Sequence, residues 1–172
     1  MRLFIAIRLD RHIRDGLESI QLYLRDNGVK GNFTKIENLH LTLAFIGEYP
    51  DPEYVLDAMR QISFQPFELA LDGFGAFGDL YWVGIRADNQ KLENCVKRLR
   101  RTLSENAIPF DRKKFVPHIT LIRRACFDSK RGFPGDIPIP GDSMRVNYIS
   151  LMRSDRGKNG MIYTKLGDIS AN

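Results

Sequence analysis

The chain has 172 residues, 43% of them hydrophobic and 27% charged, with a formal net charge of +5. That length fits one compact domain or two small lobes sharing a core, and the balance excludes a disordered, collagen-like or low-complexity chain. The basic surplus favours polyanions, nucleic acid first among them. No stretch approaches the roughly 20 apolar residues of a membrane helix, and the apolar run after Met1 is too short for a signal peptide.

In chain order, Leu3 to Ile7 reads as a buried strand. Asp10 caps a helix whose apolar positions Ile13, Leu17, Ile20 and Leu24 follow helical spacing, and Asn27-Gly28 ends it. Leu39 to Ile46 reads as a strand. Asp51-Pro52 opens a second helix with Val55, Leu56, Met59 and Ile62 inward. Phe67 to Leu71 and Leu80 to Ile85 read as strands joined by a turn through Gly73, Gly75 and Gly78. Asp88 then caps a third helix carrying Leu92, Cys95, Val96, Leu99 and Leu103 on one face. A strand follows over Pro117 to Ile122, then a long Pro- and Gly-bearing loop over Phe127 to Asp142. Two closing strands, Val146 to Met152 and Met161 to Leu166, flank a polar turn at Ser154 to Gly160.

The chain repeats itself. At an offset of 78, Ile7-Arg8 falls on Ile85-Arg86, Asp10 on Asp88, and His40-Leu41-Thr42-Leu43 on His118-Ile119-Thr120-Leu121. One fixed offset across a strand–helix–strand unit is the mark of an internal duplication. The expected organisation is one domain over 1–172 made of two lobes, the repeat units lying at about 1–46 and 79–124.

Along a strand, residues i and i+2 share a face. His40 and Thr42 therefore point one way while Leu41 and Leu43 point into a core, and the same holds for His118 and Thr120. A pseudo-twofold cleft would then hold two imidazoles and two hydroxyls, which suits phosphoryl chemistry. One imidazole takes a proton while the other gives one, and the hydroxyls donate to non-bridging oxygens. A zinc site is the chemical competitor, but it needs a third ligand that the motif strands do not supply. The remaining histidine, His12, reads as a surface residue. Lys97-Arg98 and Arg100-Arg101 read as a solvated helix face, whereas Arg112-Lys113-Lys114 and Arg123-Arg124 flank His118 and suit phosphate binding. Tyr81 and Trp82 read as packing residues, with base stacking as the alternative. Cys95 and Cys126 have no metal-ligand spacing and read as free thiols of a reducing compartment, which places the protein in the cytoplasm.

These residues resemble the 2H phosphoesterase superfamily, specifically the RNA 2',3'-cyclic phosphodiesterases also called 2'-5' RNA ligases, or LigT-like proteins. The resemblance is carried by the paired motifs within Glu37 to Glu48 and Val116 to Arg123, supported by Arg2 to Ile7 and by Leu151 to Ser154 with Gly160 and Tyr163. It implies a bilobal α+β fold, two antiparallel sheets facing a central cleft with helices outside. It implies His40 as proton donor, His118 as proton acceptor, and Thr42, Thr120 and Arg123 as substrate-binding residues. Arg123 has the wrong strand parity to face the cleft with His118, so the strand must bend or end there. At Ala44-Phe45 the chain departs from relatives that carry a basic residue after the motif. The implied activity is hydrolysis of RNA or nucleotide 2',3'-cyclic phosphate ends to 2'-phosphates, with no metal, no cofactor, no membrane and no obligate protein partner. Reversible 2'-5' RNA ligation and a non-catalytic RNA-binding module stand beside it.

Overall fold

The computed structural model describes residues 1–172, the side chain of Asn89 excepted. It is α+β, with three α-helices and two antiparallel sheets. The strands are β1 (Arg2–Arg8), β2 (Lys30–Phe33), β3 (His40–Glu48), β4 (Phe67–Phe77), β5 (Leu80–Ala87), β6 (His118–Cys126), β7 (Ser143–Val146), β8 (Tyr148–Gly157) and β9 (Gly160–Ser170). The helices are α1 (Arg11–Asp26), α2 (Pro52–Met59) and α3 (Lys91–Glu105). One sheet has the order β3-β1-β8-β9, the other β2-β6-β5-β4-β7. No helix is long and apolar enough to cross a membrane.

Strand alternation sets the layers. In β1, Leu3, Ile5 and Ile7 enter the main core, while Phe4 and Ala6 face the cleft and form a small second cluster with Met152. Helix α1 buries Ile13, Leu17, Ile20 and Leu24, and α3 buries Leu92, Cys95, Val96, Leu99 and Leu103. Burial pushes the Cys95 thiol up to about 12, so it packs as a small hydrophobe. The carboxylate of Asp51 accepts from Tyr54 N, capping α2 with Pro52 at its first position.

Several elements differ from the sequence expectation. Of the glycines after Leu71 only Gly78 lies in the turn: β4 runs to Phe77 with a bulge between Leu71 and Phe74, and the reversal is confined to Gly78 and Asp79. Gly75 lies opposite Trp82, whose indole occupies the space a Cβ would need. Likewise β8 and β9 continue through most of the polar stretch to a tight turn at Lys158 and Asn159. Val146 belongs to β7, paired with β4 in the other sheet, so the chain changes sheets at Asn147. Asp88 opens a 3-10 turn and its carboxylate accepts from Glu68 N; the α3 N-cap is Gln90, in the left-handed region at φ 57°. Asp10 holds the N-cap position of α1 without a side-chain bond.

The two halves correspond with small offsets. The buried positions of α1 and α3 align at 79, as Ile13 with Leu92 and Leu24 with Leu103, one more than the 78 separating the motifs. The strand register shifts too. Arg8 pairs with His40, but Gly84 rather than Arg86 pairs with His118. A displacement of two residues leaves every side chain on its original face.

The helices are exchanged between halves. Helix α1 follows β1 of the first sheet and leads into β2 of the second, and Gln21 donates to Leu121 O of β6 at 3.0 Å. Helix α3 connects strands of the second sheet, yet Arg100 donates from Nε and Nη2 to Leu43 O of β3, both at 3.2 Å.

Candidate active site

Each motif strand breaks its alternation at the same place. In β3 the register against β1 shifts between Ala44 and Thr42, leaving Leu43 as an extra residue. In β6 the register against β5 shifts between Thr120 and Ile122, leaving Leu121 extra. Both bulges bury two successive residues, Leu43-Ala44 and Leu121-Ile122, and return the next side chain to the cleft face. A bulged residue loses its ladder partner, and a buried carbonyl needs a donor. Arg100 supplies one to Leu43 O, and Gln21 with Thr34 N supplies Leu121 O. Arg100 is therefore a structural strut rather than part of a solvated face; it also donates to Lys113 O at 2.7 Å.

The bulge resolves the parity of Arg123. A left-handed Arg124 follows at φ 52°, and Gly31 of β2 admits the turned backbone, since its Cβ would meet Arg123 O and Arg124 O at 2.9 Å. Arg123 thus enters one pocket with His40, Thr42, His118, Thr120 and Tyr163. All five residues singled out in the sequence come together there.

The histidines are held alike. His40 Nδ1 lies 2.7 Å from Asn38 O, and His118 Nδ1 lies 2.6 Å from Val116 O. A carbonyl only accepts, so each Nδ1 carries a hydrogen and each Nε2 is left for chemistry. His40 Nε2 is 2.9 Å from Thr42 Oγ1. Aromatic rings fix both imidazoles. Phe4 lies 5.0 Å from His40 and Tyr163 meets it edge-on at 5.3 Å. Trp82 lies 5.9 Å from His118 and Phe77 meets it edge-on at 5.2 Å. Phe4 and Trp82 are equivalent repeat positions. Trp82 therefore backs His118, while Tyr81 is buried against Phe74 and Phe133.

His40 is held below the ordinary histidine value, chiefly by desolvation, with the charges of Arg123 and His118 adding to it and the bond to Asn38 O opposing it. In the free protein its neutral form is therefore favoured. Among the described residues no group of three His, Cys, Asp or Glu is placed to hold a metal ion.

Some site residues had no clear sequence signal. Asn38 is buried and donates to Met161 O at 2.9 Å, tying the turn before β3 to the β8–β9 hairpin that carries Tyr163. The hairpin contact lies 123 residues away, beyond any local pattern. His12 is exposed, as expected, with Nε2 2.6 Å from Ser143 O.

Residues 7–81 match a family model described as LigT like phosphoesterase. The RNA 2',3'-cyclic phosphodiesterase of Thermotoga maritima is 30% identical over 176 residues, covering 96% of this chain and 93% of that one. The enzyme of that name from Thermus thermophilus is 33% identical, covering 99% and 90%. Among solved structures, E. coli LigT in apo form superposes with a TM-score of 0.82 at 28% identity, covering 99% of this chain and 96% of that one. The same protein complexed with 3'-AMP gives 0.80.

Proposed function

The chain belongs to the LigT-like phosphoesterases, and from that premise we propose that it hydrolyses RNA 2',3'-cyclic phosphate ends to 2'-phosphates. The observation that carries this is the matched pair of imidazoles, each with Nδ1 on a backbone carbonyl, lining one pocket with two threonines and an arginine. The reading makes His118 the proton acceptor for the attacking water and His40 the proton donor to the departing O3', with Thr42, Thr120 and Arg123 holding the phosphoryl oxygens. A buried, neutral His40 suits this order of events. The bound phosphodiester anion offsets the nearby positive charges, so His40 gains its proton as substrate arrives. The two lobes, with units near 1–46 and 79–124, are read as a duplication. The two free thiols support a reducing, cytoplasmic setting.

The test is an oligonucleotide ending in 2',3'-cyclic phosphate, incubated in chelator and followed by phosphorus NMR. A 2'-phosphate product is expected. His40→Ala and His118→Ala each lose on the order of 100- to 10,000-fold in rate while staying folded. A 3'-phosphate product, or turnover only with a divalent ion, overturns the reading.

A further inference from the structure

The repeat that relates the motifs also relates what flanks them. Glu37-Asn38-Leu39 before His40 corresponds to Phe115-Val116-Pro117 before His118. The flank beside His118 is a wide groove with Phe77, Phe115 and Val116 on its walls and Lys113 and Lys114 along it. The flank beside His40 is a smaller cavity of about 140 Å³, lined by Phe4, Arg8, Arg14, Glu37 and Met152. Asn38, His40 and Tyr163 line both this cavity and the phosphate pocket, so the two share a wall.

Two guanidinium groups meet the cavity. Arg8 lies opposite His40 in the β1–β3 ladder. Its Nε donates to Ser150 Oγ at 3.2 Å and its Nη2 lies 3.5 Å from Asp168 Oδ2, which holds the group in place and leaves further donors over. Asp168 also accepts from Lys165 Nζ at 2.9 Å, so it does not cancel Arg8 alone. Arg14, near the start of α1, has a buried Nε with no hydrogen-bond partner and no carboxylate partner among the described residues. Glu37 is the acidic side chain on the wall; it is exposed and pairs with neither arginine. A buried donor without an acceptor is costly, and native structures keep few. Water would satisfy the donor but not two charges, whereas an oxyanion does both.

Size and position narrow the ligand. The cavity has roughly ten times the volume one water requires, and falls short of the ~300 Å³ at which pockets for whole small molecules begin. A single tetrahedral oxyanion fits; a nucleoside does not. In a ribose, C5' is bonded to C4', next to C3', so a 5'-substituent lies on the O3' side of the sugar. O3' is the oxygen that His40 protonates in the reaction above, and the cavity is on the His40 side.

We propose that the cavity beside His40 is a second phosphate subsite, in which Arg8 and Arg14 bind the 5'-phosphoryl group of the nucleotide whose cyclic phosphate is opened. The inference rests on the cyclic-phosphodiesterase reading and adds a substrate class. That class is nucleotides carrying a 5'-phosphoryl group, as the last residue of an RNA strand does, in preference to nucleoside cyclic phosphates.

Calorimetry compares adenosine 2',5'-bisphosphate with adenosine 2'-phosphate on wild type and Arg14→Gln, and kcat/KM is measured for adenosine 2',3'-cyclic phosphate with and without a 5'-phosphate. Charge-assisted bonds predict that wild type favours the 5'-phosphorylated ligand by roughly 10- to 100-fold, the gain residing in KM. Arg14→Gln loses most of that gain and keeps its rate on the cyclic phosphate without a 5'-phosphate. Should Arg14→Gln fail to fold, Arg8→Gln carries the same comparison, since Asp168 keeps its bonds to Lys165 and Ser150. Equal affinity of wild type for the two nucleotides, or an advantage unchanged in the variant, overturns the subsite. Inorganic phosphate titrated into protein saturated with adenosine 2'-phosphate tests a detached source; Arg14-dependent binding there, without a bisphosphate advantage, overturns the 5'-assignment. Absence of turnover with Arg14-dependent binding of the bisphosphate intact instead overturns the catalytic reading and leaves the subsite standing.

Discussion

Replacing Gln21 by Met isolates what the bulge in β6 depends on. Gln21 is 4% exposed and its Nε2 donates twice, to Thr34 O at 2.9 Å and to Leu121 O at 3.0 Å. Met has nearly the same volume and adds apolar character, so packing changes little. Leu121 O keeps the bond from Thr34 N at 2.9 Å, whereas Thr34 O loses the side-chain donor it had. Two bonds at about 1 kcal/mol each, one of them leaving a carbonyl without its partner, give a loss of about 2 kcal/mol. For a chain of this length that is about 4–8 °C in Tm. Chemical denaturation measures the first figure and calorimetry the second. Because the bulge aims Arg123, kcat/KM on a cyclic nucleotide should also fall in the folded variant. A stability change below about 0.5 kcal/mol with full activity would refute the view that helix side chains hold the bulges.

The remaining predictions concern the imidazoles and the floor beneath them. His40, observed by nitrogen-15 NMR, should titrate below the ordinary value of about 6.5 in the free protein, since burial disfavours its charge. Adding adenosine 2'-phosphate should raise that midpoint; a free-state midpoint at or above the ordinary value would contradict the burial argument. The sign for stability follows. The unfolded chain takes up the proton first, so His40's contribution is complete above about pH 6.5 and is lost as pH falls toward its folded-state pKa. His40→Asn should flatten the fall in stability between pH 6.5 and 5, as measured by urea unfolding. Gly75→Ala places a methyl group in the space of the Trp82 indole, at a cost of about 1–3 kcal/mol. It should displace Trp82 from His118 and lower kcat; an unchanged Trp fluorescence spectrum with full activity would count against that packing.

The motif residues were legible because His-x-Thr uses the simplest strand rule, and parity alone places both side chains on one face. Arg123 was legible only by resemblance. Its position depends on an extra residue in β6, and Leu121-Ile122 looks like any other apolar pair until the neighbouring strand is known. The side-chain direction of Phe45 was hidden for the same reason, since it follows the matching bulge in β3. Gly73, Gly75 and Gly78 read as a turn because glycine usually marks one. Here Gly75 is required by the indole of a paired residue, and only Gly78 belongs to the reversal. Asp88 looked like a cap because aspartate before an amphipathic run usually is one. A 3-10 turn instead delays the helix and gives its carboxylate to β4.

The exchange of helices has a consequence for how the chain is made. Gln21 bonds to Leu121 across 100 residues of sequence, so the inner face of α1 is not tied to its sheet by that bond until β6 exists. At about 5–20 residues per second, that face waits roughly 5–20 s on the ribosome after its own synthesis. Neither sheet can close on an early nucleus, because each borrows a helix from a distant part of the chain. Folding should therefore be slow and should commit late, after β6 has left the exit tunnel. Until then the nascent chain displays Ile13, Leu17, Ile20 and Leu24 to whatever holds unfinished proteins in solution.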